Sequence, residues 1–462
     1  MAQPQPRIPK GRLNVHEDVV MAAADSEKLQ TLAQKLASKH YSTYSLPDID
    51  VDEPVGEEEQ LKLRPVNLTD LLRLCSQARF ETFESFLGAP ALDKIEKIGE
   101  ATFSQVFQIP LVNATVLSNI KSFSSRAIPP TAAVKIVPFG GESQQTLSEM
   151  YQELRITGEM SDIASEYGAG FVRVLKMGVV RGAYPPQLIE AVEKYSRRRG
   201  KKAQSAAAQV KTQKYAVLVL EHAGLNLAEG PQLTWTQTCG VIGQIVLSLA
   251  IAEQSCKFEH RDLHWGNMMA KIDKNEKTRR LVTSDCNTVY DVKTGGMHTT
   301  IIDYTLSRLE INGDFSQLCA VPLTDEVFFT GYGDFQFEIY RLMRSENGGD
   351  WLKFTPKTNI FWIWYLVDKL LVWKYKPFAK QRGVPLSVGR NRRTLELFIN
   401  RIPNYGSAQE LLEDPFFKRV ITRTDISQFA TTSKDEPMSI TASTKAVMTA
   451  LATRMSRFMH LD

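Results

Sequence analysis

The segment Phe258-Glu-His-Arg-Asp-Leu-His-Trp-Gly-Asn267 constrains this chain more than any other. It sets a histidine, an arginine and an aspartate in succession, with an asparagine five residues after the aspartate. Directly before it, Thr236 to Lys257 carries Val241, Ile245, Val246, Leu249 and Ala252 at the three-to-four-residue spacing of a helix with one buried face. A polar loop leaving a buried helix is thereby held in place. Transfer of a phosphoryl group needs a carboxylate to orient an attacking hydroxyl and accept its proton, and an amide oxygen to hold a metal ion beside it. Asp262 and Asn267 are suitable residue types for those two tasks, and a tight loop puts them on either side of a transferred phosphate.

Three further pieces stand in a meaningful order around this loop. Downstream, Ile301-Ile-Asp303-Tyr-Thr reads as a short strand delivering a second carboxylate, although the polar residues 271–297 intervene and read as a hairpin insertion. Tyr304 and Thr305 stand where a Phe-Gly pair is usual, and loss of the glycine reduces backbone freedom there. Upstream, Ala133-Val-Lys135-Ile is a strand with a single lysine. Glu153, in a predicted helix from Ser148 to Met160, is its expected ion-pair partner. Glu149 competes for that role but falls near the helix start, where a carboxylate already serves as a cap. Earlier still, Lys97-Ile98-Gly99-Glu-Ala101-Thr-Phe-Ser104-Gln-Val106 partly fits a glycine-rich hairpin, with Ala101 and Ser104 in place of two glycines.

This succession is the eukaryotic protein-kinase arrangement. It predicts an α+β, bilobal kinase-like fold with a small strand-rich N-lobe, a larger helical C-lobe and polar tails. Lys135, Glu153 and Asp262 are the candidate catalytic residues. ATP is expected against Ile98, Gly99, Val106, Ala133 and Lys135, with its adenine near Leu220 to Gly224, Glu221 and Gly224 included. Mg2+ is expected on Asn267 and Asp303.

Three segments resemble one family in particular: His260-Arg-Asp-Leu-His-Trp-Gly-Asn267, Ile301-Ile-Asp-Tyr-Thr-Leu-Ser-Arg-Leu309, and Phe329-Thr-Gly-Tyr-Gly-Asp-Phe-Gln-Phe-Glu-Ile-Tyr-Arg-Leu-Met343. They are similar to the haspin family of atypical histone kinases, in which Asp-Tyr-Thr replaces Asp-Phe-Gly and Ala-Pro-Glu is missing. The resemblance spans about Pro65 to Phe417. It implies a serine/threonine kinase acting on the threonine third from the N-terminus of histone three, with the tail or nucleosome as partner. It also implies an activation segment that needs no phosphorylation, and a nuclear location with chromosome association in mitosis. A basic tail calls for an acidic surface, for which Asp325, Glu326 and Asp334 are candidates. Glu338 reads more readily as a brace. His264, at a position where most such kinases have lysine, is a phosphate or substrate neighbour or a structural residue. Tyr332 stands where relatives commonly carry an acid.

Composition narrows the remainder. Lys plus Arg total 56 and Asp plus Glu total 52, a net charge of only +4. That does not resemble a surface built wholly for nucleic acid, and no sequence-specific nucleic-acid binding is expected. Five scattered cysteines without a C-x-x-C pair argue against a disulfide framework or a zinc ribbon. No signal or membrane segment is expected, and a monomer is. Boundaries are placed at 1–64 (a polar, partly acidic tail), 65–224 (N-lobe, with a basic insertion near 193–214), 225–420 (C-lobe) and 421–462 (C-terminal tail). A pseudokinase scaffold, a kinase for a different basic substrate and a small-molecule phosphotransferase are the open alternatives.

Overall fold

The computed structural model describes residues 66–100, 104–111, 130–141, 144–200, 211–311, 314–375 and 386–425, and among these Asn67 starts the first helix. The readings made on residues 1–65, on Ala101, on 201–210 and on 426–462 fall outside those residues. Asn67 Oδ1 accepts from Asp70 N at 3.0 Å and Asp70 answers to Asn67 N at 3.1 Å, a reciprocal cap that begins α1 (Leu68–Leu74). In the sequence, Val66 to Phe86 places leucines and then phenylalanines at helical spacing behind an Asn67-Leu-Thr-Asp cap, which predicts a helix there. It stops instead before Ser76, whose φ of 55° is left-handed and breaks the ladder. The phenylalanines belong to a separate α2 (Phe83–Leu87), capped by Thr82 and followed by α3 (Ala89–Leu92).

The next elements are β1 (Glu96–Glu100), β2 (Gln105–Pro110), β3 (Thr131–Phe139), α4 (Leu147–Tyr167), β4 (Val174–Arg181), α5 (Pro186–Arg198) and β5 (Lys214–Glu221). The strands form one antiparallel sheet in the order β1-β2-β3-β5-β4. Strand β5 lies between two neighbours and is buried on both faces, which is why Ala216-Val-Leu-Val reads as an unbroken apolar run. Val217 and Val219 join one core with Phe83, Phe86, Val134 and Ile136, whereas Ala216 and Leu218 join another with Val137, Phe139, Met150 and Leu154. The two-residue period of β3 therefore turns odd-numbered side chains, Lys135 among them, toward α4. The basic run near 193–214 is not wholly a loop. Pro186 opens α5 at a position where a missing N–H costs nothing, and the helix carries Arg197 and Arg198 in its last turn.

The remaining elements are β6 (Leu225–Asn226), α6 (Trp235–Cys256), β7 (Met268–Ile272), β8 (Thr278–Val282), β9 (Thr288–Lys293), β10 (Met297–Ile301), β11 (Arg308–Ile311), β12 (Asp314–Ala320), α7 (Val327–Thr330), α8 (Phe335–Asn347), α9 (Lys357–Leu370), α10 (Leu386–Ile399), α11 (Ala408–Leu411) and β13 (Ile421–Asp425). Helix α6 is long and apolar enough by composition to cross a membrane, but 89% of its most apolar window is buried inside the protein, so it is the core helix here. Strands β7 and β10 pair antiparallel across residues 268–301, and β8–β9 form the expected hairpin between them. Residues Ile421–Asp425 are not the start of a tail. They pair with β9 from Ile421 opposite Val292 to Asp425 opposite Thr288. Gly240 on α6 lets this hairpin approach: a Cβ there would stand 2.7 Å from Lys293 O. Among the described residues the helix-rich half thus also carries three small sheets, and the α+β class holds.

Asp325–Arg341 belongs to a compact unit distinct from the remainder of the described residues. Within it Arg341 donates to the carbonyls of Phe329 and Gly331 at 3.0 Å each, and its guanidinium lies over the Tyr332 ring.

Candidate active site

Strand parity and helix period bring the first three groups together. Glu153 lies in the buried stripe of α4 with Met150, Leu154 and Thr157, directly under the face of β3 that bears Lys135. Lys135 Nζ is 2.8 Å from Glu153 Oε1 and 3.2 Å from Asp303 Oδ1. Glu149 is elsewhere engaged, closing a capping box on Thr146 at the start of α4. Burial opposes charge on the Lys135 ammonium, but Asp303 and Glu153 outweigh it and raise its pKa above the ordinary lysine value. Burial likewise opposes charge on Asp303, and Lys135 together with a 2.7 Å hydrogen bond from Thr305 reverses the balance and lowers its pKa. Both contacts fall on Oδ1, which leaves Oδ2 unengaged among the described residues.

The catalytic-loop segment meets the same point through its backbone. Ile302 N donates to Asn267 O at 3.0 Å, and Asn267 Nδ2 donates to Asp262 O at 2.9 Å. Asp262, Asn267 and Asp303 are thus held within one short network. His260 anchors it: Nε2 stands 3.1 Å from Ile302 O and Nδ1 accepts from Asp262 N at 3.3 Å. These partners require the proton on Nε2 of a neutral ring, and burial pushes the His260 pKa down to about 4. Arg261 and Asp303 hold φ of 66° and 65°, conformations that L-residues adopt at a cost and that persist where surroundings enforce them.

Those surroundings are specific. Arg261 and Glu259 are fully buried as an ion pair, with Glu259 also accepting from Thr355 N at 2.8 Å and Thr358 Oγ1 at 2.9 Å. Arg308 exchanges backbone hydrogen bonds with Glu259, both at 2.9 Å. Ser307 Oγ donates to His260 O at 2.9 Å. Tyr304 is buried against Phe171, Phe258 and His260, and its hydroxyl donates to Ile301 O at 2.9 Å. From α9, Asn359 Oδ1 accepts from His260 N at 3.1 Å while its Nδ2 donates to Phe258 O and to Glu253 Oε1, both at 2.9 Å.

Glu253 also accepts from Ala408 N, and burial raises its pKa to about 7. A carboxyl raised in the folded state contributes stability that is complete below its unfolded pKa and lost as pH rises through about 7. The lowered His260 has the opposite slope, gaining stability as pH rises from about 4 toward 6.5. We expect Glu253→Gln to remove only the first slope. Its stability relative to the parent chain then becomes more favourable by on the order of 2 kcal/mol between pH 5 and 7.5, because a tenfold change in a protonation equilibrium is worth about 1.4 kcal/mol. Denaturant melts across that range measure this, and a pH-independent difference would refute it.

Other predicted residues are placed as follows. Ile98 and Gly99 lie in β1, with Gly99 opposite Val106 across a bulge, and Val106 lies opposite Lys135 in β2–β3. Ala133 lies opposite Leu220. Glu221 is tied to Arg173 twice, its Oε2 accepting from the guanidinium and its backbone N–H donating to Arg173 O at 2.9 Å. Gly224 has a structural requirement of its own: at φ 93° a Cβ would stand 2.2 Å from Ala270 O. His264 Nε2 is 3.9 Å from Asp262 Oδ1 and its Nδ1 accepts from Gly266 N at 3.0 Å. Asp325 and Asp334 accept from Val327 N and Gln336 N, each closing a local turn two residues on, and Glu326 is exposed in the first of these turns. Glu338 pairs with Arg341 at 2.8 Å. Sequence reasoning missed Asn359, Glu253, Gln145 and Ser307. Only Gln145, eight residues before Glu153, was within reach of a local pattern.

A lysine strand, a helix glutamate, an H-R-D loop ending in asparagine and an aspartate two residues past a strand, brought together beneath an antiparallel sheet, define a protein-kinase domain. Residues 20–397 match the haspin-like kinase domain. The chain is 32% identical over 364 residues to the serine/threonine-protein kinase haspin of Bos taurus, covering 78% of this chain and 44% of that protein. It is 34% identical over 343 residues to that of Mus musculus, covering 73% and 43%. It is 34% identical over 307 residues to the haspin homologue of Drosophila melanogaster, covering 65% and 52%. The chain belongs to the haspin kinase family. It spans about half the length of these relatives. The family match begins earlier than the resemblance read from Pro65 and ends before Ser407 to Phe417.

Proposed function

We propose that this chain is an ATP- and magnesium-dependent protein serine/threonine kinase of the haspin type. The observation that carries the reading is the Lys135 ammonium 2.8 Å from Glu153 and 3.2 Å from Asp303, beside the Asp262–Asn267 loop. Asp303 and the Asn267 side-chain oxygen are hard oxygen donors and fit Mg2+. Among the described residues no group of three His, Cys, Asp or Glu side chains forms a self-contained metal site, which suits a cation that takes the rest of its shell from phosphate and water. When bound, the metal supplies charge neutralisation on the phosphates.

The chain's own side chains supply the rest. Lys135, oriented by Glu153, presents its ammonium to the nucleotide phosphates. Asp262 orients the substrate hydroxyl and accepts its proton, and His260 stays neutral while fixing the backbone of Asp262. The proposed substrate is the threonine third from the N-terminus of histone three, in the nucleus on mitotic chromosomes. The resemblance of the catalytic-loop, Asp-Tyr-Thr and 329–343 segments to the haspin family of histone kinases supports this assignment. Asp325, Glu326 and Asp334 are proposed to meet the basic tail, each exposed pair contributing about 1 kcal/mol or less. The test is mass-spectrometric mapping of phosphate on nucleosomes incubated with the chain and magnesium-ATP. Phosphate on that threonine is expected, absent with Asp262→Asn. Labelling confined to other proteins would overturn the substrate, and no transfer at all would overturn the kinase reading.

A further inference from the structure

The hydroxyl of Thr305 stands between two carboxylates. Its Oγ1 is 2.7 Å from Asp303 Oδ1 and 3.3 Å from Glu153 Oε2. Lys135 joins the other side, contacting Glu153 Oε1 and the same Asp303 Oδ1. Lys135, Glu153, Thr305 and Asp303 therefore form a closed ring of four polar contacts, two of them ion pairs and two made by the neutral hydroxyl. A hydroxyl carries a single hydrogen, so it donates fully to one carboxylate at a time, and the shorter distance gives Asp303 the greater share.

Glu153 Oε2 has a second partner. Gln145, just before α4, donates through Nε2 at 3.2 Å. It is buried, at 7% exposure, and its Oε1 finds no partner among the described residues. The opposite amide orientation would aim an oxygen at a carboxylate, so the contact fixes the flip. Leaving a buried amide oxygen unpaired costs about 1–3 kcal/mol. Gln145 thus contacts the same Glu153 Oε2 as Thr305.

We propose that Thr305 is a positioning residue, and Gln145 its accessory. Together they fix the second oxygen of Glu153, so that α4 stays docked and Asp303 keeps one orientation before nucleotide arrives. Glycine at position 305 has no side chain to make this link, so the aspartate and the helix glutamate would be coupled only through the lysine. The threonine adds a second coupling that does not pass through Lys135. This deepens the kinase reading and rests on it for its catalytic consequence, but the docking of α4 is measurable without activity.

The experiment compares Thr305→Val, which keeps the shape without the hydroxyl, with Thr305→Ser, which keeps the hydroxyl. Hydrogen–deuterium exchange of the α4 amides around Glu153 is read on the nucleotide-free chain, alongside kcat and the KM for magnesium-ATP. The expected result is about tenfold faster exchange in α4 and a tenfold or greater fall in kcat for Thr305→Val, with peptide KM unchanged and Thr305→Ser close to the parent. Gln145→Leu should accelerate the same amides to a lesser degree. Equal behaviour of the valine and serine variants would overturn the proposal, as would a fall in kcat without any change in α4 exchange. If the parent chain transfers no phosphate yet the exchange difference appears, the kinase reading fails and the positioning role stands.

Discussion

Asp262→Asn should lower kcat by about 1,000-fold, within the range for loss of a positioned general base, while the KM for ATP moves little and the fold is kept. The isostere keeps the shape of the side chain and loses its ability to accept a proton. Two of the contacts that hold this residue are made by its backbone: Asp262 N donates to His260 Nδ1 at 3.3 Å, and Asp262 O accepts from Asn267 Nδ2 at 2.9 Å. Neither depends on the carboxylate. The His264 Nε2 contact at 3.9 Å is too long to carry the loop by itself. Steady-state phosphotransfer to a histone-tail peptide, with a thermal melt of the same sample, is the measurement. Turnover within tenfold of the parent chain would remove Asp262 from the role of base. A large fall in melting temperature would instead mean that the carboxylate also supports the loop.

How far the sequence led can be judged residue by residue. The Lys135–Glu153 pair was legible because two local periods determine it: alternate residues of β3 face α4, and every third or fourth residue of α4 faces β3. The choice of Glu153 over Glu149 followed from capping, and Glu149 indeed caps. The buried strand β5 and helix α6 announced themselves by apolar runs. Asn359 did not, because its partners His260 and Phe258 lie about a hundred residues away and no pattern links an asparagine in an aromatic helix to a distant backbone amide. Glu253 was hidden for the same reason: a carboxylate inside a nearly all-buried helix gives no local sign of the amides it will accept from. Strand β13 was missed because Ile-Thr-Arg-Thr-Asp has no apolar alternation to read and its partner β9 lies more than a hundred residues earlier in the chain. The early stop of α1 was missed because leucines at helical spacing continued into phenylalanines that pack in a different helix.

These omissions share a feature. What escaped is the scaffold of buried polar groups that fixes the catalytic segment, and long-range hydrogen bonds of that kind carry no periodicity. The positive φ of Arg261 and Asp303 makes the scaffold necessary, since each such residue costs on the order of 1–3 kcal/mol to hold. The buried Glu259–Arg261 pair, with Thr355 and Thr358, holds one of them. Tyr304 and Thr305 flank the other, the first through the Ile301 carbonyl and the second through the carboxylate itself. Replacement of Phe-Gly by Tyr-Thr therefore does more than stiffen the backbone, since both side chains add hydrogen bonds at this point.

Lys135→Met is the second large effect, and its signature lies in the pH dependence. Methionine fills a similar volume, so the face of β3 stays packed while the cation between Glu153 and Asp303 is lost. We expect kcat to fall about 100-fold or more, since oriented electrostatic stabilisation of the phosphates is removed. For Asp303, burial favours the neutral form, and Lys135 heads the influences that overcome it. Without the ammonium the carboxyl pKa rises. In the parent chain a lowered Asp303 contributes stability that is present above its unfolded pKa and lost only as pH falls through the folded value. In the variant the sign reverses, and stability relative to the parent declines as pH climbs from 4 toward 7. The residual activity, which needs Asp303 ionised, should climb over the same interval while the parent chain changes less. A residual rate parallel to that of the parent, together with a melting difference independent of pH, would show that Asp303 is ionised by something other than Lys135.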